Sequence, residues 1–429
     1  MKHPFSDFPV LNFPEMAFVR QKLFVSDMRD ADSAVQASLA PLPETCPSSP
    51  GETVAVAVGS RKIDRLNEVV YQCLRFLEHR GYKTFIVPAM GSHGGATPEG
   101  QKHVLATYGI TEAAMGVPIA ADMDVQCVAV HPLGFDIFLS TAALAADHIV
   151  LINRIKPHTK FKADLESGLC KMMTVGLGKH RGAAEIHQRA VDHTFGIIES
   201  MAEIILNKVN ILFGLALLED GYGKLAHVET LLPETLILKE KALLKQSASM
   251  MGSIPFDPID ILIVDQIGKD ISGIGMDSNV TGRHRDLVGD TFASPHVKRI
   301  LVRDLSPASD GNANGIGLAD FTTRRLVEKM DRELTYVNSL AAISPEKAAI
   351  PVYFDNDRLC LEACAKMCGR SKMDDLRVVR IKNTSSLEYL QISRALEKEA
   401  IANSNLSVEF PWREIGFDGE GNLSDFTVS

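Results

Sequence analysis

Between Asn153 and Gln188 the chain reads NRIKPHTKFKADLESGLCKMMTVGLGKHRGAAEIHQ, with three histidines (His158, His180, His187) and five lysines (Lys156, Lys160, Lys162, Lys171, Lys179). Imidazoles exchange protons near neutral pH. A lysine in apolar company loses its proton cheaply and can act as a nucleophile or covalent anchor. Lys171 has such company in Leu169, Cys170, Met172 and Met173. The plainer reading is a lysine stretched along a helix toward water, and residue type leaves the two even. GLGKHRG spaces its glycines, Gly176, Gly178 and Gly182, as G-x-G-x-x-x-G, off the dinucleotide fingerprint. These glycines and a helix starting near Gly182 can still cradle a phosphate, because terminal amides point toward an anion there. His158, Asp164, Glu166 and His187 are a metal set by residue type, but they lack the i, i+4 spacing of a zinc protease. One more histidine, His93, stands in the glycine-rich GSHGG of residues 91–95.

These residues need elements to hold them. The apolar run Ile149–Ile152 reads as a buried strand feeding the long polar segment, and open α/β sheets place their chemistry at such carboxyl ends. Thr53–Val58 (TVAVAV) is a second buried strand. It leads to a helix over about 64–80, where Leu66, Val69, Val70, Cys73, Leu74 and Leu77 keep three-and-four spacing and Gly81 ends the run. Thr84–Ala89 completes a βαβ unit and runs into the His93 loop, after which Thr97, Pro98 and Glu99 open another helix. Further strands are expected at 125–130, 135–139 and 211–217, with one long helix over 182–208 and another over 233–251. A second region opens with the strand Asp260–Val264 and the loop Asp265 to Lys269. It continues with strands near 299–302, 352–354 and 377–381 and helices near 320–332, 357–367 and 386–402. Residues 1–52 read as an irregular arm. The expected fold is α/β, with two Rossmann-like domains, 1–255 and 256–429, and the active site in the cleft between them. The last residues are expected to pack back on the first domain.

Composition narrows the function. The chain has 429 residues, 45% hydrophobic and 23% charged, with a net charge of −9. That acidity argues against a nucleic-acid partner, and no basic run forms a membrane patch. Pro4, Pro9 and Pro14 interrupt the N-terminus where a signal peptide would be apolar, and no run is long enough for a membrane span. A cytoplasmic location is the expectation. Seven cysteines are an odd number for a disulfide framework. Cys360, Cys364 and Cys368 share one helix face, as a soft-metal site or, the preferred reading, as small core residues.

Taken together, GSHGG (91–95), PHTKFKADLESGLCKMMTVGLGK (157–179), EIH (185–187) and DQIGKD (265–270) resemble the nickel-pincer lactate racemase family. The resemblance runs over roughly residues 50–285. It implies a two-sulfur nucleotide derived from nicotinic acid, tethered to Lys171 in Ser167-Gly168-Leu169-Cys170-Lys171 and holding nickel. His187, sixteen residues on, matches the metal-binding histidine. His93 and His158 match the two acid/base histidines, and Arg61, Gln266 and Lys269 the substrate-binding residues. Enzymes that synthesise the cofactor would then be needed for maturation. The activity implied is racemisation or epimerisation of a small 2-hydroxy acid by hydride transfer to the cofactor and back. The rival readings are an NAD(P)-dependent dehydrogenase using GLGKHRG, a Schiff-base lyase using Lys171, and a non-catalytic hydroxyacid-binding relative. Relative to the lactate enzyme, Gly94 stands in place of an arginine after the first histidine, Val58 in place of an acid, and the spacing from His158 to Lys171 is longer, at thirteen residues. The side chain of the hydroxyacid is therefore left open.

Overall fold

The computed structural model describes residues 12–42, 51–60, 63–285, 287, 292, 294–370, 372–409 and 411–427. The chain divides into two compact units, Phe24–Met251 and Met1–Leu23 with Gly252–Ser429. The expected division at 255 therefore misplaces the N-terminal residues. Strand β1 (Met16–Gln21) pairs with strands near the C-terminus, and a helix follows at Ala31–Leu39, capped by Asp30. The stretch expected to be irregular thus carries two elements. MAFVRQ was hidden behind Pro4, Pro9 and Pro14, which break up the residues before it.

In the unit Phe24–Met251, the strands are β2 (Thr53–Val58), β3 (Lys83–Pro88), β4 (Val125–Val130), β5 (Asp136–Ser140), β6 (His148–Arg154), β7 (Ile211–Glu219) and β8 (Leu225–Leu231). Five form one sheet in the order β3-β2-β6-β7-β8, parallel except for β8, and β4 pairs with β5 apart from it. TVAVAV is buried on both faces, which is why it reads as a continuous apolar run. Val54, Val56 and Val58 share a core with Leu66, Val69, Val70, Cys73, Leu74 and Leu77 of the helix Leu66–His79. Because β2, β3 and β6 are parallel, their following loops all leave from the same sheet edge. The single helix expected over 182–208 is two, Lys179–His193 and Ile197–Lys208. Thr194 breaks it with a left-handed φ of 59°, and Phe195 turns into the interior.

The other unit adds β9 (Ile259–Ile267), β10 (Val297–Leu305), β11 (Phe321–Thr323), β12 (Val352–Phe354), β13 (Val378–Asn383), β14 (Ser386–Ser393) and β15 (Leu406–Val408). Its sheet runs β12-β11-β10-β9-β13-β14-β1-β15, parallel through β13 and antiparallel beyond. Two expected helices change type. Residues 386–402 form β14 and only then a short helix, Glu397–Ala402; Leu387, Leu390 and Ile392 are the inward residues of the strand. Residues 320–332 open with β11 before the helix Arg324–Lys329. The tail belongs to this unit, where Arg303 Nη2 donates to the Leu423 carbonyl and Arg380 Nη2 to that of Ser424, both at 2.7 Å. Cys360, Cys364 and Cys368 are buried core residues, as the preferred reading had them. Burial pushes the Cys360 thiol up to about 12 and the Cys368 thiol to about 11. No helix among the described residues is long and apolar enough to cross a membrane.

Candidate active site

The loop after β6 makes a closed excursion. Lys156 and Ser167 exchange backbone hydrogen bonds (2.9 and 3.2 Å), and Asn153 Nδ2 at the strand end donates to the Gly168 carbonyl at 2.9 Å. Residues 157–166 are thereby looped out and returned, which brings His158 back to Lys171: His158 Nε2 and Lys171 Nζ are 2.5 Å apart. The buried Glu166 braces the excursion by accepting the backbone N–H groups of His158 and Ala163. Burial raises its carboxyl above the usual range, with Lys162 opposing.

The other ring nitrogen of His158 helps to orient the ring. Nδ1 accepts the Lys160 backbone N–H at 3.0 Å, which leaves Nε2 as the nitrogen that faces Lys171. A lysine attacks an electrophile through its unprotonated amine.

Two phenylalanines join the surrounding groups. Phe161 and Phe195 stack at 4.1 Å with 11° between their planes. His158 stacks on Phe161 at 4.4 Å, and Lys171 Nζ lies 5.7 Å from the centre of the same ring. His187 meets Phe195 edge-on at 5.9 Å, and the buried Lys160 places its Nζ 5.6 Å from that ring. Lys171, His158 and His187 are thus gathered on one aromatic pair. Sequence reading missed both rings, although Phe161 lies inside the PHTKFK motif. Phe195, beyond the helix break, gave no signal.

His93 is exposed after β3, with Nδ1 2.5 Å from Ser60 Oγ in the loop after β2. Its loop rests on a buried cation. Lys179, 0% exposed, donates from Nζ to the Pro88 carbonyl (2.8 Å) and to Gln101 Oε1 (3.2 Å). Gln101 Nε2 in turn donates to the carbonyls of Gly91 (2.9 Å) and His93 (3.4 Å). Burial brings the Lys179 ammonium down to about 8, with Asp122 opposing. Gly94 has to be glycine: its φ is +65°, and a Cβ there would lie 2.5 Å from the Gly100 backbone, at the start of the helix Pro98–Thr107. Thr97 caps that helix as expected, accepting Gly100 N–H at 3.1 Å.

The segment carrying Lys171 starts as one helical turn, Leu169–Lys171, and widens to a π-turn over Met172–Gly176, a form frequent at functional sites. It supports the His93 loop through Gly91 N–H donating to the Gly176 carbonyl at 3.0 Å. Gly176 and Gly178 are not an open cradle. A Cβ at Gly176 would lie 2.5 Å from Ala89 O, and at Gly178 2.9 Å from Thr174 O, so the chain's own backbone fills that space. The helix beyond starts at Lys179 rather than Gly182. His180 is exposed, and Asp164 points outward near Lys241 at 3.7 Å. Among the described residues no three metal-ligating side chains converge, so the metal set read from the sequence is not formed. Arg61 lies outside the described residues. Gln266 and Lys269 belong to the other unit: Gln266 is half-buried one residue before the end of β9, and the exposed Lys269 donates to the Gly273 carbonyl at 2.9 Å. Their neighbour Asp265 is locked between Arg303 and Arg380. A cavity of about 470 Å³ opens at the amino ends of β6 and β7, beside Asp147, Lys208 and Asn210, and contains none of the candidate residues. Polarity at the carboxyl ends, rather than cavity size, marks the site in a sheet of this kind.

No family model matches the chain, and no curated protein matches it. Among solved structures, a structural-genomics protein from Thermotoga maritima is similar in fold, with a TM-score of 0.53 and 14% identity over 85% of this chain and 99% of that one. The lactate racemase apoprotein of Thermoanaerobacterium thermosaccharolyticum matches with a TM-score of 0.49 and 15% identity, over 91% of each chain. The first of these likenesses establishes a shared α/β fold.

Proposed function

We propose that this protein is a racemase or epimerase of a 2-hydroxy acid, working in the cytoplasm with a nickel-pincer nucleotide anchored on Lys171. The observation that carries the reading is the Lys171–His158 pair, a half-buried lysine amine held beside an imidazole in the segment that follows a strand's carboxyl edge. The residues fit such a group in two respects. Lys171 offers a nucleophilic amine for attachment, and His187 offers one imidazole beside the same aromatic pair. One protein ligand would be enough for a metal whose other donors come from the cofactor itself.

When bound, the nucleotide supplies a ring that accepts hydride, which avoids a carbanion next to a carboxylate. The chain's own work is to move the hydroxyl proton and hold the acid. His93 and His158, on separate loops, would each serve one enantiomer by taking its hydroxyl proton and returning it. Arg61 and Lys269 would hold the substrate carboxylate and Gln266 would orient it. Gly176 contributes by letting the π-turn segment pack against Ala89 under the His93 loop, and Gly178 by letting the next helix start close to Thr174 and Phe138.

Protein made in cells that synthesise the cofactor should show, by intact mass, an adduct that maps to Lys171 and is absent from Lys171→Ala. His187→Ala should keep the adduct and lose nickel. An adduct on another lysine would sink the assignment. The Lys171 amine beside His158 also suits a Schiff base with a 2-oxoacid; trapping by borohydride in cofactor-free protein would favour that second reading.

A further inference from the structure

Glu240 played no part in the sequence reading, yet it reaches the tether motif. It sits on the helix Leu236–Met250, 1% exposed. Its Oε2 accepts the backbone N–H groups of Leu169 and Cys170, both at 3.0 Å. These are the first two amides of the turn ending in Lys171, a turn with no cap from its own segment. The other oxygen, Oε1, is buried without a hydrogen bond and lies against Gly168, where a Cβ would come within 2.0 Å of it. Residue 168 is therefore bare on the side where the carboxylate enters.

We propose that Glu240 is the positioning residue for Lys171: its carboxylate fixes the turn that aims the amine at His158, and Gly168 is glycine so that this carboxylate can enter. The proposal rests on the reading of Lys171 as the reactive amine. It gives the Gly in Ser167-Gly168-Leu169-Cys170-Lys171 a physical cause, since any side chain there would displace the clamp. Burial pushes the Glu240 carboxyl up to about 7, and the Cys170 and Leu169 amides oppose that rise. The Cys170 thiol is raised well above its range by burial, with Glu240 and Glu199 adding to it and Lys241 opposing.

The test is competitive labelling of the cofactor-free protein with trace acetic anhydride at pH 7. Lys171 is read by peptide mass spectrometry against the exposed Lys245 as internal reference. Wild-type Lys171 should outreact Lys245. Glu240→Ala should lower its relative rate about tenfold by freeing the turn. Glu240→Gln, which keeps an acceptor oxygen, should stay near wild type. Gly168→Ala should match Glu240→Ala, and the double variant should be no worse than either single, because both remove one clamp. Circular dichroism establishes that each variant is folded; Gly168→Ala carries the test if Glu240→Ala is not. A Gln variant as slow as Ala, or single effects that add in the double, would overturn the clamp. Wild-type Lys171 no more reactive than Lys245 would overturn the reading of Lys171 itself, and the proposal with it.

Discussion

His158 and Lys171 are thirteen positions apart in the chain and 2.5 Å apart in space. A bridge between Lys156 and Ser167 closes that gap, and the Lys160 backbone amide helps to orient the ring. His93 faces Ser60 from an exposed loop. The two imidazoles therefore differ in setting, as two bases acting on separate enantiomers can. His93→Ala and His158→Ala should each slow racemisation by about 10²–10⁴-fold, the usual scale for a positioned acid/base. Because inversion needs both groups, each loss should impair both directions, measured by chiral chromatography from either enantiomer. Racemisation at the wild-type rate in His93→Ala would end the pairing.

At the scale of elements, the site is made by loops that buried ionic groups hold from below. Lys179 ties the end of β3 to Gln101, and Gln101 ties the carbonyls of the His93 loop. Lys179→Met keeps the volume but leaves Pro88 O and Gln101 Oε1 without their donor, and unmade buried hydrogen bonds cost about 1–3 kcal/mol each. Turnover in the loaded enzyme should fall roughly tenfold or more while the Lys171 adduct remains. Carbethoxylation of His93 by diethyl pyrocarbonate should change its rate in the same variant, and Gln101→Met should repeat the pattern. Unaltered His93 reactivity in both would mean that the loop holds its shape without them.

Over the whole molecule, two buried ionisable groups tilt stability with pH in opposite windows. The Glu240 carboxyl is raised from 4.5 to about 7, so the folded state holds its proton more tightly than the unfolded chain. That contribution is complete below about 4.5 and is lost as pH rises through about 7, a change on the order of 3 kcal/mol. Lys179 is lowered from 10.5 to about 8, so the folded state binds its proton less tightly. Stability from this group increases as pH rises from about 8 to 10.5, by a similar amount. Urea unfolding of Glu240→Gln should show a smaller fall between pH 5 and 8 than wild type, and Lys179→Met a smaller gain between pH 8 and 10.5. Parallel pH curves for wild type and both variants would show that neither group carries a buried charge.

Periodicity made most of the first unit legible. TVAVAV, the helix through Leu77 and the strand before the His93 loop all follow from local apolar spacing, which burial then uses directly. The residue types of the candidate site were legible too, because His, Lys and Gly declare their chemistry wherever they stand. The contacts that give those residues a role were not. Glu240 lies about seventy positions from Leu169, Phe195 hides behind a helix break that no residue spacing announced, and nothing in the residue types around Lys179 marked it as buried among the five lysines of its segment. Strand β1 and the change of residues 386–393 from helix to strand were decided by partners across the sheet, in β14, β13 and β15. Sequence alone determined which side chains are available and which segments bury themselves, since both depend on near neighbours. Only the tertiary structure decided which amine meets an imidazole, which carboxylate is buried and which loop is braced, because desolvation and hydrogen bonding depend on groups brought together from far along the chain.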